Sequence, residues 1–135
     1  VSRAWGVGVQ VASSLASQGL LRDTVVLGFG TNSEAHPGEI ASMMEIMGDD
    51  RTVVMVLPYG DRSWMPRARE QIIEAAKTYD NVYIADWCTH AMHTPGALRE
   101  DGIHPDPIGA TEYVTAITYA LQQYVNGDKN TDTLC

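Results

Sequence analysis

Three short apolar runs constrain this chain more than any other feature. Thr24–Phe29 (TVVLGF), Thr52–Leu57 (TVVMVL) and Asn81–Ala85 (NVYIA) are rich in β-branched residues and lack in/out alternation. Strands of a parallel sheet covered on both faces read this way, because neither face meets water. Amphipathic stretches lie between them. Gly6–Leu20 repeats Val7, Val11 and Leu15 at helical spacing, and Glu39–Met47 sets Ile40, Met43, Met44 and Met47 on one face. Pro66–Tyr79 carries Ile72, Ile73 and Ala76, with Pro66 suited to a first helical turn. Pro107–Tyr124 carries Ala110, Tyr113, Val114, Ile117, Ala120 and Leu121. Such strand–helix alternation with short loops predicts an α/β domain built on a parallel sheet with right-handed crossovers.

At 135 residues and 44% hydrophobic content, the chain suits one domain with an ordinary core. Residues 1–125 read as that domain, and 126–135, polar and broken by Gly127, as a loose C-terminal tail. The formal charge of −8, with no Lys/Arg stripe, repels a phosphate backbone and argues against nucleic acid as a partner. No apolar run approaches the roughly 20 residues that cross a bilayer, so no membrane contact is expected of this segment. Cys88 and Cys135 are too few for a disulfide scaffold or a closed zinc site. They are read as two unpaired thiols, although Cys135 ends a tail that can swing and a cross-link stays open for an exported domain.

In sheets of this kind the chemistry gathers in loops beyond the carboxyl ends of the strands. Those loops hold Gly30-Thr31-Asn32-Ser33, Pro58-Tyr59-Gly60-Asp61 and the stretch from Asp86 to His104. Within the last, Asp101-Gly102-Ile103-His104-Pro105 reads as a turn. A carboxylate three residues before a histidine can bond its Nδ1–H, fix the tautomer and leave Nε2 as a base. Pro107 then opens the final helix. At the first strand end, the glycines of Gly28-Phe29-Gly30-Thr31-Asn32 let the backbone turn sharply, and the Asn32 amide can donate to an oxyanion. Taken singly, an Asp-x-x-His pair is commonly incidental, and an asparagine there commonly satisfies a turn.

Together, a Gly-x-Asn block on an early strand and Asp-Gly-x-His-Pro before the final helix resemble blocks III and V of the SGNH (GDSL-like) hydrolase family. Val1-Ser2-Arg3-Ala4-Trp5, Arg62-Ser63-Trp64 and Ile84-Ala85-Asp86-Trp87 resemble its acyltransferase branch, whose domain is fused to a membrane O-acyltransferase acting on wall or surface glycans. The resemblance runs to about Tyr124. It implies a three-layer α/β/α, flavodoxin-like fold. It also implies His104 as catalytic base, Asp101 as its orienting carboxylate and Asn32 as an oxyanion-hole donor. Ser2 falls where a further donor, usually a glycine N–H, is found. That family's nucleophile sits in a Gly-Asp-Ser segment on the first strand, which this chain lacks. Ser13, Ser14 and Ser17 fall in a predicted helix, and Ser33, Ser42 and Ser63 lack the motif. The expectation is an upstream segment, continuous with this chain or carried as a second chain, that possesses the serine and pairs with the otherwise bare flank of the Val25–Phe29 strand.

The function so implied is transfer of an acyl group, acetyl foremost, to hydroxyls of a wall or surface glycan on the extracytoplasmic side of a bacterial membrane. The alternatives are a carbohydrate or lipid esterase, and a non-catalytic glycan-binding relative. No cofactor is expected. His90, His93 and Asp86 are weighed as a metal set and set aside, because a third ligand at i+4 is lacking. His36 reads as surface. Trp5, Trp64 and Trp87 lie near strand ends, where tryptophans are usually core; Trp5 and Trp64 are also candidate walls for a sugar, and Arg62 either meets a substrate carboxylate or pairs with a surface acid.

Overall fold

The structure, a computed structural model, describes residues 4–133 and Cys135. Its elements run α1 (Trp5–Ser17), β1 (Thr24–Leu27), α2 (Glu39–Met47), β2 (Thr52–Val56), α3 (Met65–Thr78), β3 (Val82–Ala85), α4 (Trp87–Met92) and α5 (Pro107–Asn126). The three strands form one parallel sheet in the order β1-β2-β3. Val26 aligns with Val54, and Val54 with Tyr83. Because the order advances one strand at a time, the crossover helices α2 and α3 fall on one face, where α1 joins them.

The middle strand decides the layering. All five residues of β2 are buried, and successive side chains point to opposite faces. Val53, Met55 and Leu57 meet Trp5, Met43, Met47 and Ile72 in one core. Val54 and Val56 meet Trp87, Ala116 and Ala120 in the other. Each valine, leucine, isoleucine or methionine among them stabilises the fold by about 1.5–3 kcal/mol on burial. Helices therefore cover both faces of a three-layer α/β/α arrangement. The methionines of α2 (Met43, Met44, Met47) are core residues.

β1 stands at an edge of the described sheet and is covered less well. Its residues alternate between exposed and covered, and Val26, on the face shared with Val54, is 43% exposed. The expectation of a strand covered on both faces fails there. α4, which sequence patterning passed over as loop, begins where Asp86 accepts from the Thr89 N–H at 3.0 Å. Two turns or fewer leave too little periodicity to detect.

The C-terminal tail is not loose. Nζ of Lys129 donates to the carbonyls of Ala76 (2.9 Å) and Tyr79 (3.0 Å) at the end of α3. Cys135 is joined by a disulfide to buried Cys88, with their Cα atoms 6.1 Å apart. The expectation of two unpaired thiols is corrected: the tail folds back beside α4, and sequence separation cannot reveal that path. Among the described residues, no helix is long and apolar enough to cross a membrane.

Candidate active site

The segment carrying Asp101 and His104 is a narrow hairpin-like loop. Leu98 and Pro105 pair as an antiparallel bridge, and the Arg99 N–H donates to the His104 carbonyl at 2.8 Å. The Asp106 N–H donates to the Ala97 carbonyl at 2.9 Å, while the Asp106 carboxylate caps α5 by accepting from the Gly109 N–H at 2.8 Å. Pro107 follows in the first turn. The loop is thus clamped to the rigid start of the last helix.

At its tip one carboxylate oxygen of Asp101 accepts from the backbone N–H groups of Ile103 (2.9 Å) and His104 (3.0 Å). The other lies 2.6 Å from His104 Nδ1. The histidine ring bond, reinforced by those two N–H donors, holds the Asp101 carboxyl well below its usual value of 3.8. An ionised carboxylate only accepts, so Nδ1 carries the proton, and in that tautomer Nε2 is the acceptor. Both side chains are open to solvent. Such a pair has the arrangement a general base needs.

Asn32 lies on the stretch that leaves β1. Gly30 turns the chain at φ 104°, where a Cβ would sit 3.1 Å from Pro58 Cγ and 3.4 Å from Ala68 Cβ, so both conformation and space call for glycine. The Trp64 indole donates to the Thr31 carbonyl at 3.0 Å. Gln71 closes a two-bond ring with Ala35, accepting from its N–H and donating to its carbonyl, each at 2.8 Å. Asn32 itself is exposed and makes no hydrogen bond among the described residues.

The loop leaving β2, residues 58–64, touches both halves. Pro58 packs on Gly30 and Trp64 holds Thr31. At the other side, the Asp61 N–H donates to the Gly102 carbonyl at 3.0 Å. His104 and Asn32 therefore belong to loops at the carboxyl end of one sheet, braced on a shared neighbour. A cleft of about 370 Å³ adjoins the dyad's loop, lined by Tyr59, Met92, His93, Pro95 and Leu98 among others.

The remaining expected residues are placed differently. Trp5 is 1% exposed and packs on Phe29 with ring centroids 4.9 Å apart, so its expected role as a sugar wall is corrected to a core role. Trp64 is half-buried with its N–H committed to the main chain. Arg62 is exposed and bonds the Asp61 carbonyl at 2.7 Å. Ser2 lies outside the described residues. Asp86 caps α4, His90 lies 2.9 Å from Glu112, and His93 lies 2.8 Å from the Thr89 carbonyl. Each is turned to a different partner, and among the described residues no group of three or more His, Cys, Asp or Glu is arranged to hold a metal ion. Sequence reasoning missed Gln71, since a side chain reaching backbone 36 positions away leaves no trace in spacing.

No model of a known protein family matches the chain. Over 122 residues, 90% of its length, it is 24% identical to a Bacillus subtilis (strain 168) protein named "Putative peptidoglycan O-acetyltransferase YrhL". The chain spans 19% of that relative's length. Among solved structures it is similar to the C-terminal catalytic domain of Streptococcus pneumoniae peptidoglycan O-acetyltransferase A (OatA), solved with a methylsulfonyl adduct. The TM-score is 0.80 at 24% identity, covering 96% of this chain and 79% of that one. A parallel sheet between two helical layers, with the Asp101–His104 loop at its carboxyl end, thus gives this chain the fold of the OatA catalytic domain.

Proposed function

We propose that this chain is the larger part of an extracytoplasmic O-acetyltransferase domain acting on hydroxyls of peptidoglycan or a related surface glycan. The observation that carries the reading is the 2.6 Å contact between Asp101 and His104 Nδ1, which leaves Nε2 free in a solvent-open loop at the sheet's carboxyl end. Similarity to two proteins named as peptidoglycan O-acetyltransferases supplies the substrate class.

In the proposed mechanism a serine hydroxyl attacks the carbonyl carbon of an acyl ester. His104 Nε2 takes the hydroxyl proton, and Asp101 stabilises the resulting imidazolium. The Asn32 amide and backbone N–H groups, with Ser2 a further candidate, hold the negative oxygen of the tetrahedral intermediate. Collapse expels the donor's alcohol, which recovers the proton from His104. A glycan hydroxyl then repeats the attack on the acyl-enzyme with His104 again as base, leaving the ester on the glycan and the serine free. Arg62, exposed beside Asp61, would meet an anionic part of the glycan. No cofactor enters the scheme.

The serine belongs, in this reading, to a Gly-Asp-Ser segment upstream of Val1. The open edge of β1 and the exposed Val26 favour a further parallel strand beside it, which would deliver the serine to the end where Asn32 lies. Intact mass and N-terminal sequencing of the natural protein test for that segment.

The activity test incubates the complete protein with an activated acetyl ester, with and without a chito-oligosaccharide acceptor. Acetylated oligosaccharide supports the reading, and His104→Ala is expected to lower turnover at least 10³-fold with folding intact. Acetate release unaffected by the acceptor would make the protein an esterase, an outcome the solvent-open dyad admits. Oligosaccharide binding without turnover would make it a non-catalytic binding module.

A further inference from the structure

Taking Asn32 as the oxyanion donor, we propose that Trp64 and Gln71 are positioning residues that hold the backbone on either side of it. The segment 30–35 is an arch. Its first foot is fixed at Gly30, wedged between Pro58 and Ala68, and at Thr31, whose carbonyl accepts the Trp64 indole N–H at 3.0 Å. Its second foot is Ala35, 5% exposed and gripped at both N–H and carbonyl by Gln71. Between the feet, Asn32 and Glu34 are exposed, and the one ion pair there, Glu34 to Arg67 at 3.9 Å, joins two well-exposed side chains.

Apart from the Pro58 contact, the firm holds come from one side of one helix. Trp64, Ala68 and Gln71 follow the i, i+4, i+7 spacing that aligns side chains on a single face of α3 and its entry. That helix is seated in the core through Ile72, Ala75 and Ala76. An amide with no hydrogen bond of its own among the described residues is aimed through the main chain that bears it, and α3 supplies that aim. Trp64 therefore acts through its N–H rather than by stacking on a sugar. A side-chain amide bonding both polar groups of one residue imitates a strand partner and fixes position as well as direction.

The test uses the complete protein with an activated acetyl ester. Trp64→Phe keeps an aromatic face and removes the N–H; Gln71→Met keeps the length and removes both bonds. Each is expected to lower kcat about 10- to 100-fold with KM within about twofold, as displacement of a reacting group by about 1 Å does. Adding Asn32→Ala to either variant should cost little more, because a misaimed donor is already lost. A sugar-stacking role predicts instead that Trp64→Phe is harmless and Trp64→Leu raises KM. Hydrogen exchange gives a readout independent of turnover: the Ala35 amide should exchange faster in Gln71→Met while the amides of β2 keep their protection. Unchanged kcat in both variants, or losses that multiply with that of Asn32→Ala, overturn the proposal. If Asn32→Ala alone leaves kcat unchanged, it is the oxyanion reading that fails.

Discussion

Gly109→Ala tests how tightly the last helix presses on the segment that carries the dyad. A Cβ at Gly109 would sit 1.9 Å from the Ala97 carbonyl oxygen and 2.9 Å from its carbon, both backbone atoms. Carbon and carbonyl oxygen approach to about 3.3 Å, so helix and loop must part by about 1.4 Å. That same oxygen accepts the Asp106 N–H at 2.9 Å, so parting also strains the clamp on the His104 loop. Overpacking costs about 1–3 kcal/mol and the lost hydrogen bond about 1 kcal/mol. Alanine's better helix propensity offsets up to about 1 kcal/mol of this, leaving a net loss of about 1–3 kcal/mol. With an unfolding entropy of about 0.28 kcal/mol/K for a chain of this length, Tm should fall by about 4–11 °C. Turnover should fall about 100-fold through displacement of His104. Thermal melts by circular dichroism and turnover of an acetyl ester read the two effects. The sign is decisive: without the close approach the same substitution improves the helix, so an unchanged or raised Tm refutes the reasoning.

Two further changes probe the dyad and the tail. Asp101→Asn should lower turnover by about 10³–10⁴-fold without altering the far-ultraviolet spectrum, by removing the acceptor that fixes the His104 tautomer. Because the Asp101 carboxyl is depressed in the fold, its stabilising contribution is complete above its usual value of 3.8 and is lost as pH falls below that. The Tm difference between wild type and Asp101→Asn should accordingly shrink as pH falls below about 4; a difference that persists undiminished to about pH 2 contradicts the pairing. Reducing the Cys88–Cys135 disulfide, which spans a sequence separation of 47, should cost up to about 4 kcal/mol and open residues 127–135 to proteases while the sheet persists. Equal melts and equal cleavage with and without reductant would show that the hydrogen bonds of Lys129, Asn130 and Thr133 secure the tail without it.

What could be read in the sequence was whatever leaves a local pattern. β2 was legible because a strand buried on both faces must be apolar throughout, and α2 because three methionines share one side. The Asp101–His104 turn was legible because its partners lie three residues apart and its glycine and prolines mark a turn. The residues misread owe their roles to distant partners. A tryptophan near a strand end has the same letter whether it stacks on a sugar, fills the core as Trp5 does, or donates to a carbonyl as Trp64 does. Gln71 looks like any polar residue on a helix until the fold brings Ala35 beside it. Cys135 pairs with Cys88 through a tail path that composition describes only as polar. Chemistry confined to one turn was visible, and chemistry assembled across the fold was not.

The loop leaving β2 explains how two halves so differently encoded can still keep register. It emerges from β2, which among the described strands is the one buried along its whole length. From there it reaches Gly30 and Thr31 through Pro58 and Trp64, and Gly102 through the Asp61 N–H. Gly60 adds to the second contact, since a Cβ there would lie 3.0 Å from the Gly102 carbonyl oxygen and 3.5 Å from Ile103 Cα. The spacing between Asn32 and His104 is then governed by a single exit loop rather than by the two outer loops that carry them. β1, the edge strand with Val26 uncovered, is left free to take up a further strand without moving either group. Under the proposed roles of His104 and Asn32, a nucleophile delivered along that edge would meet two groups braced on one loop, the kind of preorganisation that acyl transfer rewards.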